Sequence, residues 1–70
     1  MTRKWNPEFQ KYEVKVEIVD GSCPYKWFHD CVGQVFGCFV REYDYVVRAD
    51  YIKGFGYSWR LIPFDCGKEV

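Results

Sequence analysis

The sequence predicts an all-β fold, a small barrel of four or five short strands with one short helical turn. The first observation is an alternation of apolar and charged residues from Lys11 to Ile18, within a strand predicted over 11–19, and this is the period of a strand with one buried face. The second is a series of short segments rich in β-formers, separated by Gly, Pro and Asp at intervals of about 8–12 residues. The third is the length of 70 residues, which suits one domain.

The first predicted strand sets the orientation of the others. Its apolar residues should face the core, and its charged residues should only be solvated; the two sets are Tyr12, Val14, Val16 and Ile18, and Glu13, Lys15 and Glu17. Asp20-Gly21-Ser22 ends the strand, and a long irregular loop follows. The chain then turns at Gly33. One ring of this loop should fill the barrel, and at least one should stay partly exposed.

Three further strands are predicted, over residues 34–42, 45–49 and 57–62, the last with Tyr57, Trp59 and Leu61 on one face. Gly37 inside the second strand indicates a bulge or bend. Residues 50–56 should be a connecting loop. Pro63 suits the first position of a helical turn over 63–66, and residues 67–70 should form a short last strand. A long first loop, a tight turn and a late helical turn together predict an SH3-like strand order.

The ends of the domain are less regular. We divide the chain into an N-terminal arm, 1–10, and the SH3-like β-barrel, 11–70. Asn6 and Pro7 argue against regular structure in the arm. A frayed tail is therefore favoured over an arm whose Trp5 and Phe9 dock on the barrel or on a partner.

The composition is dominated by aromatic residues, which make up 21% of the chain. Each buries about 150–250 Å² when covered, so a barrel of this size cannot hide all of them. The formal net charge is zero. This disfavours a nucleic-acid partner bound through a basic face, and it leaves little charge repulsion to oppose self-association. No apolar run reaches the ~20 residues of a membrane span or forms a signal-peptide core. We expect a cytoplasmic protein with reduced thiols and no membrane partner.

The residues that could carry chemistry do not form a convincing set. Four cysteines are present, Cys23, Cys31, Cys38 and Cys66, and none forms the CxxC pair of a common zinc site. We therefore expect mostly buried free thiols, ahead of disulfides or a metal, and no cofactor. His29 is interpreted as a solvated loop residue and not as the partner of a nucleophilic cysteine. Gly54-Phe55-Gly56 lacks the helix and lysine of a phosphate cradle. The prediction is that the protein is not an enzyme.

The segment that leads into the second strand carries an aromatic pair, an acid, a β-branched residue, a glycine and a phenylalanine. In this chain it is Trp27-Phe28-x-Asp30-x-Val32-Gly33-x-x-Phe36, and Tyr45-Val46-Val47, Trp59 and a closing Asp65-Cys66 pair follow. These residues resemble those of small SH3-like barrel proteins of Firmicutes and their phages. The resemblance implies the barrel fold and a phage or prophage setting, hence the host cytoplasm, and it implies no catalytic residue. The chain departs from the family pattern at Cys31 and at Gly37-Cys38.

The surplus of rings is the one functional signal. Aromatic residues beside arginine at a surface are typical of protein-binding hot spots. The predicted contact residues are Tyr25, Trp27, Phe28, Lys53, Phe55, Tyr57 and Arg60. The leading hypothesis is a protein-binding module that modulates a host protein, a defence component being one candidate, or that forms a homodimer. The alternative is a binder of nucleotides or single-stranded nucleic acid that stacks bases on the same rings.

Overall fold

The fold is given by a computed structural model that describes residues 3–22, 26–54 and 56–70. This part of the chain contains six strands: β1 (Lys4–Asn6), β2 (Lys11–Ile18), β3 (Val35–Val40), β4 (Asp44–Val47), β5 (Leu61–Pro63) and β6 (Gly67–Glu69). One α-helix, α1 (Arg48–Lys53), follows β4, and two 3₁₀ turns cover Gly56–Ser58 and Phe64–Cys66. All strand pairs are antiparallel. The predicted all-β class is confirmed.

The strand order also agrees with the SH3-like prediction. β2, β3, β4 and β5 pair in sequence order, and β6 returns to pair with β2. The 3₁₀ turn Phe64–Cys66 lies between β5 and β6, directly after Pro63, as the sequence predicts. Gly33 has a φ of 91°, and its N–H donates to the Ile18 carbonyl at 2.8 Å, which confirms the turn into β3.

β2 holds the sheet together because both of its edges are paired. One edge pairs with β3, and the other is shared end to end by β1 and β6. Arg3 bridges these two short strands with a bidentate ion pair to Glu69, at 2.9 and 2.6 Å. The frayed-tail interpretation is therefore wrong for Lys4–Asn6, because β2 offers backbone donors and acceptors that a short strand can satisfy. This strand raises the count to six.

The inner face of the sheet encloses the core. The buried residues that form this cluster are Val14, Val16, Ile18, Phe28, Cys38, Tyr45 and Ile62. Three of the four β2 residues predicted to face inward do so. Tyr12 is the exception, at 44% exposed, because it lies beyond the end of the core and packs edge-on against Trp5, its partner on β1.

The outer face carries a second cluster of rings that the sequence did not predict. Phe39 is fully buried there, between Phe9 at 5.3 Å and Tyr51 at 5.2 Å between ring centroids. Tyr51 in turn contacts Trp59 at 4.8 Å. We call Phe9, Phe39, Tyr51 and Trp59 the outer cluster. It covers the sheet with residues from the N-terminal arm, α1 and the segment before β5, so the docked-arm alternative is correct for Phe9.

Helix α1 is the largest departure from the predicted elements, since residues 50–56 were expected to be a loop. Asp50 in its first turn and Lys53 in its last turn complement the helix dipole. Gly54 ends the helix in the left-handed conformation, at φ 91°, and its N–H bonds to the Tyr51 carbonyl. The helix is short, and its stability comes from the packing of Tyr51 on the outer cluster.

Two strand predictions need correction. The β2–β3 ladder runs without a break past Gly37, which pairs with Lys15, so the predicted bulge is absent. The fourth predicted strand, 57–62, is paired only over Leu61–Pro63, and Tyr57 lies in a 3₁₀ turn. Trp59 was predicted to share a strand face with Tyr57 and Leu61. It lies before β5 instead, and its ring packs onto Tyr51.

None of the helices in the described residues has the length and apolar character that a membrane span needs.

Candidate protein-binding surface

Trp27 fixes the long loop to the barrel. Its indole Nε1–H donates to the Leu61 carbonyl at 2.9 Å. Its ring packs edge-on against Phe28 and Phe36, with centroids 5.4 and 5.2 Å away. The side chain is partly buried, so this tryptophan is first a structural anchor and only its remaining surface is available for contact.

Arg60 joins the loop to helix α1. Its guanidinium lies 5.3 Å from the centroid of the Trp27 ring, a cation–π distance. Asp50 accepts the Arg60 Nε–H at 2.9 Å, the Nη2–H at 3.2 Å and the backbone N–H at 2.8 Å. The hydrogen bond from the Arg60 side chain is the main reason that the pKa of Asp50 lies below its usual value. Three contacts to one carboxylate hold Arg60 in a single orientation over Trp27.

Tyr57 and Lys53 extend this surface. Tyr57 is 92% exposed, the largest fraction among the exposed large hydrophobic residues of the described chain. Lys53 is exposed in the last turn of α1, and its charge contributes, after Arg60 and desolvation, to the shifted pKa of Asp50. We call Trp27, Lys53, Tyr57 and Arg60 the loop surface. The contacts of Asp50 and Arg60 thus link Trp27 and Lys53, and Tyr57 precedes Arg60 by three residues in the chain.

The other predicted contact residues are placed differently. Phe28 is 1% exposed and belongs to the core, so its assignment to a partner surface is wrong. It is the ring of the loop that fills the barrel. Tyr25 and Phe55 lie outside the described residues, and their assignment stays a prediction.

A pair of exposed rings outside the loop surface was not predicted from the sequence. Trp5 and Tyr12 face each other across β1 and β2, at 5.0 Å between centroids, and are 49% and 44% exposed. Alternation placed Tyr12 in the core because a period of two does not show where along a strand the core ends. The pairing of β1 with β2 was also invisible, since Asn6 and Pro7 indicated an irregular arm.

Residues that could carry chemistry remain separate. Cys31 and Cys38 are free thiols, and Cys23 lies outside the described residues. Burial raises the pKa of the Cys38 thiol to about 12, which keeps it protonated and unreactive. His29 is exposed on its loop, as predicted. Across residues 3–22, 26–54 and 56–70, no cluster of three or more His, Cys, Asp or Glu side chains is arranged to hold a metal ion.

The chain was compared with protein-family models, with curated proteins and with solved structures, and none of them matches.

Proposed function

We propose that this protein is a non-enzymatic binding module that engages a partner protein through the loop surface. The observation that carries the proposal is the position of Tyr57, 92% exposed and three residues from an Arg60 held by Asp50. A tyrosine offers a large, rigid contact area at little entropic cost. Tyr, Trp and Arg are the residues that dominate binding energy in protein interfaces.

The fixed geometry of Arg60 favours this use of the surface. An arginine that is free in solution loses side-chain freedom when it enters an interface, at about 0.5–1.5 kcal/mol. Here the contacts to Asp50 and Trp27 have already ordered the guanidinium. The ion pair also partly neutralises its charge, so that covering the surface desolvates less unpaired charge. The exposed Lys53 is suited to the polar rim around such a contact.

The partner class follows from the resemblance to SH3-like barrel proteins of Firmicutes and their phages. In that setting the partner is a host protein, with a defence component as one candidate, and binding would inhibit or redirect it. A second copy of the chain is the other candidate partner. Sedimentation at micromolar concentration distinguishes these partners, since a homodimer forms without any host protein.

Base stacking on the same rings receives less support. Arg60 covers the Trp27 ring, and Phe28 and Phe36 pack against it, so this ring is poorly placed to accept a base. The neutral net charge gives no general attraction for a phosphate backbone. A salt titration separates the two functions, because binding to a nucleic-acid strand weakens steeply as salt rises and an aromatic protein interface does not.

The test is affinity capture of a partner by the wild-type chain and by matched tyrosine variants. Tyr57→Ala should weaken binding of the captured protein at least tenfold, the ~1.4 kcal/mol or more expected of a hot-spot residue. Tyr43→Ala is the control, since Tyr43 is 79% exposed at a different place, the turn between β3 and β4. Equal losses for the two variants, or no loss for Tyr57→Ala, would rule out the loop surface.

A further inference from the structure

A groove lies beside β2 and β3, and none of the residues of the loop surface lines it. It has a volume of about 520 Å³ and is lined by residues of β1, β2, β3, the start of α1 and the end of the chain. The volume is in the range of about 300–1,000 Å³ that small-molecule sites occupy. Its lining residues are Lys4, Glu13, Val14, Lys15, Gly37, Cys38, Arg48 and Val70.

Gly37 forms the floor of this groove, and the fold does not explain its presence. It sits opposite Lys15 in the middle of a regular ladder, and it is absent from the glycines with positive φ. A Cβ atom built there would meet nothing within 4 Å. Glycine inside a strand weakens it. A glycine that neither conformation nor packing demands is typical of a place where a ligand approaches the backbone.

The side chains around this floor are mainly basic. Lys4, Lys15 and Arg48 carry positive charge, and Glu13 is the one acidic side chain of the lining. Glu13 already accepts hydrogen bonds from Asn6 at 2.8 Å and from the Arg48 Nε–H at 2.7 Å. These hydrogen bonds lower the pKa of Glu13, with the bond from Asn6 as the largest cause, and so keep its carboxylate ionised. The side chains of the groove thus carry a net charge of +2 in a chain whose net charge is zero.

The basic groups retain donors for a ligand. Within the described residues, neither lysine ammonium forms an ion pair, and no hydrogen bond engages the Nη groups of Arg48. The Glu13 contact instead holds the Arg48 side chain at the rim of the groove, with 47% of it exposed. A planar guanidinium and two ammonium groups around a bare backbone suit the oxygen atoms of a phosphate.

We propose that this groove binds the phosphate group of a small molecule. A phosphate monoester carries about −1.5 to −2 charges at pH 7, which is opposite in sign to the net charge of the lining side chains. Two lysines and one arginine around it would each contribute a charge-assisted hydrogen bond. Because the lining is exposed, the rest of the ligand would lie outside the cationic cluster. Among the described residues no aromatic ring lines the groove, so the groove offers no ring on which a base could stack.

The test is a titration of isotope-labelled protein with inorganic phosphate and, separately, with ribose 5-phosphate, followed by the backbone amide signal of Gly37. The expected result is a saturable shift with both probes, while sodium acetate at equal ionic strength gives none. Tighter binding of ribose 5-phosphate identifies a phosphorylated metabolite as the ligand, and equal binding identifies free phosphate. A shift that does not saturate, or that acetate reproduces, would overturn the proposal.

Variants locate the site. Lys15→Ala should weaken phosphate binding about fivefold, the effect of removing one exposed ion-pair partner. Lys68→Ala is the matched control, since Lys68 is an exposed lysine of β6 outside the groove lining, and it should leave phosphate binding unchanged.

Gly37→Val should abolish phosphate binding and raise the melting temperature, because the added side chain occupies the groove and favours a strand. Unchanged binding in Lys15→Ala and Gly37→Val would place any phosphate elsewhere. Tyr57→Ala should leave this titration unaffected, so the proposal fails or stands independently of the loop surface.

Discussion

The two faces of the same sheet are buried by different means. The inner face is closed by the strands themselves, with aliphatic side chains and one loop ring, Phe28, which is 1% exposed. The outer face is covered by segments that are not strands, and its cover is made of rings, Phe9, Tyr51 and Trp59 on Phe39. The difference shows where many of the aromatic residues go: the sheet needs a second layer, and rings from short segments supply it.

This comparison changes what an aromatic surplus means. A barrel with one core would leave most of its rings at the surface, and all of them would be candidates for binding. Because the outer cluster uses several, fewer rings of the described residues remain exposed. They are Tyr57 on the loop surface, the pair Trp5 and Tyr12 at the end of the barrel, Tyr43 in the turn between β3 and β4, and Phe64 in the last 3₁₀ turn. The candidate site is therefore narrower than composition alone suggests.

The largest expected effect tests the inner face. Phe28→Ala should destabilise the protein by about 3–5 kcal/mol, since it empties the largest buried position supplied by the loop. In a domain with a total stability of about 5 kcal/mol or slightly more, the variant should be largely unfolded at room temperature. Urea denaturation followed by circular dichroism measures this. Phe28→Leu is the control and should retain most of the stability; equal losses in the two variants would mean that ring volume is not what the core requires.

A smaller loss is expected from the outer face. Phe9→Ala removes a partly buried ring from the cover of Phe39 and should cost about 1–2 kcal/mol, less than a fully buried phenylalanine. Hydrogen exchange should accelerate in α1 and leave the amides of β2 protected, because the cover opens before the barrel does. Faster exchange in β2 to the same extent would show that the two faces unfold as one unit.

The ion pair between the two ends of the chain should give a pH-dependent effect. Glu69 accepts hydrogen bonds from Arg3 and from the Tyr45 hydroxyl, and the Arg3 bond is the main cause of its lowered pKa. A lowered folded-state pKa adds stability above the unfolded-state pKa of about 4.3, and this stability is lost as pH falls through the folded-state pKa.

Glu69→Gln should therefore cost about 1 kcal/mol at pH 7, a modest value because Arg3 is half-exposed and screened by solvent. The difference from the wild type should shrink toward zero as pH falls from about 5 to below 3. Thermal melts across this range measure it. A constant difference at all pH values would show that the loss comes from packing and not from the charge of Glu69.

The smallest effect on stability is expected at the loop surface. Tyr57→Ala should change the free energy of unfolding by less than about 0.5 kcal/mol, because the side chain is 92% exposed. Chemical denaturation of this variant beside Arg60→Ala sharpens the comparison. Arg60→Ala should cost more, since it frees Asp50 and uncovers Trp27. A large loss for Tyr57→Ala would give that residue a structural role.

Much of the sheet follows from the sequence, and the reason is local. The period of β2, the turn at Gly33 and the helical turn after Pro63 depend on neighbouring residues, so their positions are predictable. Helix α1 and β1 are not, because each depends on tertiary packing or pairing that residue type alone does not indicate: Tyr51 packs on Phe39, and Lys4–Asn6 pairs with the edge of β2. The local signals of α1, which are Asp50, Lys53 and Gly54, are weak evidence for a helix of only six residues.

For the candidate site too, some features can be predicted from the sequence and others cannot. Its aromatic and arginine content is visible in the sequence, and Trp27, Tyr57 and Arg60 were named from it. The direction of each side chain cannot be predicted in this way. Phe28 illustrates this, since it is buried in the core while its neighbour Trp27 is only partly buried. The role of Glu13 was also hidden, since its partners Asn6 and Arg48 come from the arm and from a helix that the sequence did not indicate.

The indole N–H signals of the three tryptophans can show whether the loop surface binds the partner, because each signal reports on a different region. Trp27 belongs to the loop surface, Trp5 to the exposed pair at the end of the barrel, and Trp59 to the outer cluster. When a captured partner protein is added to labelled protein, the account predicts that the Trp27 signal shifts while those of Trp5 and Trp59 do not. A shift of the Trp5 signal with an unchanged Trp27 signal would contradict it.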